Sequence, residues 1–158
     1  MKRYDKLLLV DKEDTAMAPM AEAIMQHRLL LEDILIESRG LVVLFEEPVN
    51  PRTEKILDMK GLITEQQHTS RQLEESDFDE RTLILTMQQA QKDKIMAEYR
   101  DPLNVFTLRE YVGADEDPSD PYGGDLEEYE TCFEQLWFMT NRLADISISD
   151  AEVPRFQP

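Results

Sequence analysis

The segment "LLLVDKEDTAMAPMAEAI", residues 7 to 24, narrows the folds open to this chain more than any other stretch. Leu7–Val10 is a short continuous apolar run, the pattern of a strand covered on both faces rather than of a helix. A polar loop follows, and Pro19-Met20-Ala21-Glu22 opens a helix in which Met17, Met20, Ile24, Arg28 and Leu31 recur at helical spacing. A strand that runs through a short loop into a helix belongs to a βα unit, and its next strand returns parallel to the first.

The same alternation continues along the chain. Asp33–Ile36 and Leu41–Phe45 read as strands, with Gly40 between them. Asn50-Pro51 has the form of an N-cap followed by a first-turn proline, and Gly61 closes that helix. Thr82–Thr86 reads as a strand, Met87–Tyr99 as a helix and Asn104–Leu108 as a further extended run. Leu126, Tyr129, Phe133, Leu136, Trp137, Thr140 and Leu143 mark a long amphipathic final helix, with Asp125 and Glu128 at capping-box spacing. The expected fold is therefore α/β, a parallel sheet with helices on both faces and its ligand cleft at the carboxyl ends of the strands. The loop Asp11–Met17 falls there.

At 158 residues and 41% hydrophobic content the chain fits one globular domain. The boundaries expected are a domain over 1–145 and a C-terminal extension over 146–158, where periodicity fades. No apolar run is long enough to span a membrane, and the N-terminus lacks the apolar core of a signal peptide. The single cysteine, Cys132, fits a reducing compartment, so a cytoplasmic location is expected. The net charge of −17 disfavours nucleic acid and anionic lipid. From Tyr111 onward twelve Asp and Glu face two Arg, which makes a basic protein the partner that charge favours. His27 and His68 stand too far apart in the sequence to suggest a ligand pair, and surface or capping roles are expected for both.

A strand, a loop and a helix N-terminus together make an anion cradle, because unpaired N–H groups and the helix dipole converge on the loop. Ala18-Pro19-Met20-Ala21-Glu22 resembles the Ser-Pro-Met-Ala-Glu that follows the Cys-five-residues-Arg loop of the low-molecular-weight protein phosphatases. Three more segments are similar to that family: "HTSRQLEESDFDERTLILTM" (68–87), "VFTLREYVG" (105–113) and "DPYGG" (120–124). The resemblance spans about residues 6–145. It implies a three-layer sandwich with a four-stranded parallel sheet, the phosphotyrosine protein phosphatase I-like fold. Thr15 and Gly123-Gly124 resemble the Gram-positive, protein-arginine-phosphatase-like branch.

In that register Asp11 stands in the place of the nucleophilic Cys, and Met17 in that of the phosphate-gripping Arg. Ala18 replaces the Ser that bonds the thiolate, Asp14 the Asn that shapes the loop, and Glu13 a small residue. Asp120 matches the general acid. Lys12, Glu13, Asp14, Thr15, Ala16 and Tyr122 are expected to line what is left of the cleft. An Arg grip strengthens as a phosphoryl group approaches its transition state, and methionine offers none. Asp11, Lys12, Glu13 and Asp14 sum to −2, and each like-charge pair costs on the order of 3 kcal/mol at about 5 Å and an effective dielectric of about 20. The expectation is a pseudophosphatase with a degenerate P-loop, a binding or regulatory module with no cofactor. The alternative is a metal-assisted phosphoryl hydrolase, with Mg²⁺ or Ca²⁺ held by Asp11, Glu13, Asp14 and Asp120.

Overall fold

A computed structural model describes residues 4–62 and 68–146. Four strands, β1 (Lys6–Asp11), β2 (Leu35–Gly40), β3 (Thr82–Thr86) and β4 (Val105–Thr107), form one parallel sheet in the order β2-β1-β3-β4. The helices are α1 (Met17–Arg28), α2 (Pro51–Met59), α3 (Gln89–Glu98), α4 (Leu108–Val112) and α5 (Leu126–Asp145).

The unbroken apolar run of β1 divides strictly by parity. Leu7 and Leu9 join the larger core with Leu83, Leu85, Met20, Ile24, Phe133 and Leu136, while Leu8 and Val10 join Ile84, Ile95 and Val105 on the other face. Both faces of β1 are thus sealed, as an interior parallel strand requires. From β1 the chain moves outward to β2 on one side, and β3 lies on the other. The loop after β1 therefore sits at the switch point of the sheet, where the diverging connections leave a crevice.

Two expectations need correction. The pair of short strands over Asp33–Ile36 and Leu41–Phe45 is one strand, Leu35–Gly40, that runs straight through Glu37-Ser38-Arg39. Polar residues survive there because β2 is an edge strand and Arg39, 4% exposed, bonds Glu37 at 2.7 Å and lies 3.6 Å from Asp77. The apolar run after Gly40 leaves the sheet, and Leu44 and Phe45 are exposed. Second, the extended run ends at Thr107, whose hydroxyl accepts the Glu110 N–H and starts α4; Gly113 ends that helix at φ 72°.

The caps expected at Asn50 and Asp125 are present: their side chains accept the N–H of Arg52 (2.8 Å) and Glu128 (3.0 Å). α1 stops at Arg28, short of the Leu31 at which its periodicity ends. Beyond Ile146 the expected C-terminal extension lies outside the described residues. Among the described residues no helix is long and apolar enough to cross a membrane.

Candidate active-site cleft

β1 delivers Asp11 as its last residue, paired with Gly40 of β2. The loop then turns tightly enough that Asp14 takes a left-handed conformation (φ 59°), which Asp tolerates better than most residues. Gly40 makes room for this turn. A Cβ there would stand 2.7 Å from the Glu13 carbonyl carbon and 2.9 Å from the Asp14 nitrogen.

Asp11 is 6% exposed and turns its carboxylate back into the loop. Oδ1 accepts the Asp14 N–H at 2.6 Å, and Oδ2 accepts the Ala18 N–H, in the first turn of α1, at 2.9 Å. The Asp11 side chain thus takes up one N–H of the loop and one at the positive end of α1. Burial, opposed by the Ala18 bond and reinforced by the charges of Asp14 and Asp120, pushes the Asp11 pKa up to about 7. Near neutral pH its carboxyl is held close to half-protonated.

Asp14 is fully buried and directed away from the cleft. Its Oδ2 accepts the Arg71 N–H (2.9 Å), and Oδ1 lies 3.4 Å from His68 Nε2. His68 also donates from Nε2 to the Asp14 carbonyl oxygen at 2.9 Å, and its Nδ1 lies 3.4 Å from Glu22 of α1. Burial alone would lower the His68 pKa, but Asp14 and Glu22 more than reverse this and push it up to about 10. The imidazolium clamps loop to helix. The surface or capping role expected for His68 therefore gives way to a bridge, formed because the turn at Asp14 brings together residues 54 apart in sequence.

The cleft itself, about 180 Å³, is lined by Asp11, Lys12, Glu13, Thr15, Ala16, Met17, Gln91, Asp120 and Tyr122. Lys12, Glu13, Thr15, Ala16 and Tyr122 thus meet at one opening with Asp11, Met17 and Asp120. Asp14 does not, because its carboxylate serves Arg71 and His68. Ala18 lies beneath, buried in the larger core with its N–H on Asp11. Met17, 3% exposed, packs into the larger core. Gln91 of α3 is the residue that sequence reasoning missed. Its side chain accepts the Gln88 N–H in a capping box, an N-cap pattern with no reference to the cleft.

Asp120 and Tyr122 sit on a turn in which Asp120 Oδ1 accepts the Tyr122 N–H (3.0 Å) and Pro121 O accepts the Gly124 N–H (2.8 Å). The acidic stretch before it is anchored. Asp117 accepts the Gln89 N–H at the start of α3 and pairs with Arg109, and Ser119 bonds Gln135 of α5. Cys132 of α5 is buried, and burial pushes its thiol up to about 12. It is not a nucleophile at neutral pH.

Both Asp11 oxygens and Asp14 Oδ2 accept N–H groups, Asp14 Oδ1 lies 3.4 Å from His68 Nε2, and among the described residues no group of three or more His, Cys, Asp or Glu side chains is placed to hold a metal ion. The acids also do not converge as four. Asp14 balances His68, which leaves Asp11, Glu13 and Asp120 against Lys12 in the cleft.

A sequence profile for low molecular weight phosphotyrosine protein phosphatases matches residues 6–151. The low molecular weight protein-tyrosine-phosphatase PtpB of Staphylococcus epidermidis is 30% identical over 138 residues, 87% of this chain and 96% of that protein. A protein-arginine-phosphatase of Geobacillus stearothermophilus is 30% identical over 142 residues, 89% of this chain and 94% of its own length. Among solved structures, a low molecular weight protein tyrosine phosphatase from T. tengcongensis superposes with a TM-score of 0.82 at 28% identity, over 89% of this chain and 97% of that one.

Proposed function

This chain belongs to the low molecular weight phosphotyrosine protein phosphatase family, and from that premise we propose that it keeps the family's cleft without its phosphoryl-transfer chemistry and works as a binding or regulatory module. One observation carries the reading: the Asp11 carboxylate accepts the N–H groups of Asp14 and Ala18. In an anion cradle such groups serve the incoming ligand. Here they are engaged by a side chain that cannot leave.

The other substitutions act in the same direction. Met17 packs into the core at the position where the family's pattern has a guanidinium, so no bidentate donor meets a phosphoryl group. A carboxylate bound through both oxygens is a weak nucleophile, and it cannot form the cysteinyl-phosphate on which the family's reaction depends. Glu13, Asp120 and the partly ionised Asp11 oppose a phosphate dianion with only Lys12 in compensation. The one cysteine is remote from this role, buried in α5 with a raised pKa.

The test is hydrolysis of an aryl phosphate and of phosphoarginine by the full chain, with and without Mg²⁺. No turnover is expected under either condition. Turnover without added cation overturns the proposal, and turnover that needs Mg²⁺ replaces it with metal-assisted hydrolysis. Joint replacement Asp11→Cys, Met17→Arg and Glu13→Gly is expected to restore measurable phosphate affinity, since it frees the N–H groups and returns a positive charge.

A further inference from the structure

Independently of that reading, we infer that the outer edge of β2 carries a second site, a pocket for a small zwitterion of the α-amino acid class. The pocket, about 270 Å³, is walled by Glu22 and Gln26 of α1, by residues 35–39 of β2, and by His68, Thr69 and Arg71. Among the described residues it shares no wall residue with the cleft.

The strand edge supplies donors. Gly40 turns its backbone away from β1, its N–H donating to Arg71 O and its carbonyl accepting from Leu73 N, both at 2.8 Å. Residues two apart on a strand point the same way, so Ile36 and Ser38 also present their backbone groups at the outer edge. Their carbonyls are engaged there, by Gln26 Nε2 (3.0 Å) and Arg39 Nη1 (2.9 Å). Their N–H groups have no partner among the described residues. Ser38, 2% exposed, adds a buried hydroxyl that likewise has no hydrogen-bond partner among the described residues. Native structures pair nearly all such groups, so three unspent donors on one wall call for an acceptor. Arg71 stands at the same pocket with its side chain 60% exposed, and among the described residues its guanidinium meets only Glu37, at 3.9 Å. Together these donors suit a carboxylate.

The opposite sign is present as well. Arg39, His68 and Arg71 face Glu22 and Glu37 across the pocket walls, and His68 keeps its proton up to about 10. Glu37 is shared among Lys6, Arg39 and Arg71, whereas Glu22 meets only His68 Nδ1 among the described residues, at 3.4 Å. A plain anion would face the two glutamates, and a plain cation the three bases. A molecule with a carboxylate and an ammonium a few bonds apart serves both, its carboxylate on Ser38 and Arg71 and its ammonium on Glu22. Exposed Leu35 leaves an apolar side chain something to lie against. Because His68 also holds Asp14 O at 2.9 Å, this pocket has one wall in common with the clamp on the cleft loop.

The experiment follows amide and imidazole resonances of the full chain during titration with L-alanine, L-valine and L-leucine. Saturable shifts at the Ile36 and Ser38 amides and the His68 ring are expected with at least one of them. Its N-acetyl derivative, which lacks the ammonium, and its amide, which lacks the carboxylate, are each expected to bind about tenfold more weakly. Ser38→Ala and Arg71→Gln are each expected to weaken binding about tenfold with no loss of melting temperature, since one removes an unpaired hydroxyl and the other an exposed charge. No saturable shift with any of the three, equal binding of either derivative or of acetate, or indifference to either substitution overturns the inference. Phosphoarginine hydrolysis by the same preparation bears on the cleft alone. Turnover there overturns the non-catalytic reading and leaves the β2 pocket standing.

Discussion

His68 Nε2 lies 2.9 Å from the carbonyl oxygen of Asp14 and 3.4 Å from its carboxylate, so one imidazolium holds both the backbone and the side chain of the loop's left-handed residue. Asp14 is the only formal charge of the loop that the cleft does not display. Its balance by His68 removes one of the three acids counted against a bound anion, and the two-unit deficit summed along the loop overstates the repulsion at the cleft.

Stability should fall from mildly acidic to alkaline pH. Asp11 titrates at about 7 in the folded chain against 3.8 when free. Between those values the native state holds a proton that the unfolded state has released, so stability is lost as pH rises from about 4 to about 7. His68 adds a second loss. Its folded value of about 10 exceeds the free value of 6.5, so its contribution is complete below about 6.5 and gone above about 10. Denaturant midpoints across this range should show both slopes, and His68→Gln should erase the upper one.

Asp14→Ala should cost about 2–4 kcal/mol, because it strands the Arg71 N–H, leaves His68 only the backbone carbonyl of residue 14 and Glu22, and puts alanine at φ 59°. Asp14→Asn keeps an acceptor and a residue that tolerates this conformation, so it should cost less. It should also lower the His68 pKa, measurable by following the imidazole resonances through a pH titration.

Gly40→Ala should destabilise the chain by about 1–3 kcal/mol, since its Cβ would meet backbone atoms of Glu13 and Asp14 that cannot swing aside. Equilibrium unfolding checks the cost. Chemical shifts confined to residues 11–18 and 40–43 would show where the strain is relieved.

Cys132 should resist iodoacetamide in the native state, being fully buried with a thiol raised to about 12. Labelling should proceed at the rate of unfolding and become fast in denaturant. Rapid native labelling would contradict the packing of α5 against the sheet.

Much of the fold was legible because β1 and β3 are continuous apolar runs sealed on both faces, and because Asn50, Asp125 and Gly61 punctuate helices in the expected way. β2 was misjudged where tertiary pairing overrides composition: Arg39 is buried only because Glu37 and Asp77 come to meet it. At the cleft, the order Asp11–Met17 could be read along the chain, but where each side chain points could not. Asp14 turns away because His68 and the Arg71 N–H lie on its far side, a fact written more than fifty residues downstream. Gln91 carries a capping signal alone, and Leu44 and Phe45 carried the signal of a strand.

The tether between Asp11 and the first turn of α1 has a wider implication. An enzyme whose pocket is filled by dissolved phosphate changes its occupancy with the metabolic state around it, and oxyanion poisons such as vanadate compete for the same donors. In this chain the counter-ion is covalently built in, so its presence is independent of concentration. On the proposed reading, dissolved phosphate and vanadate should leave this chain unaffected, because Asp11 already holds the N–H groups of Asp14 and Ala18.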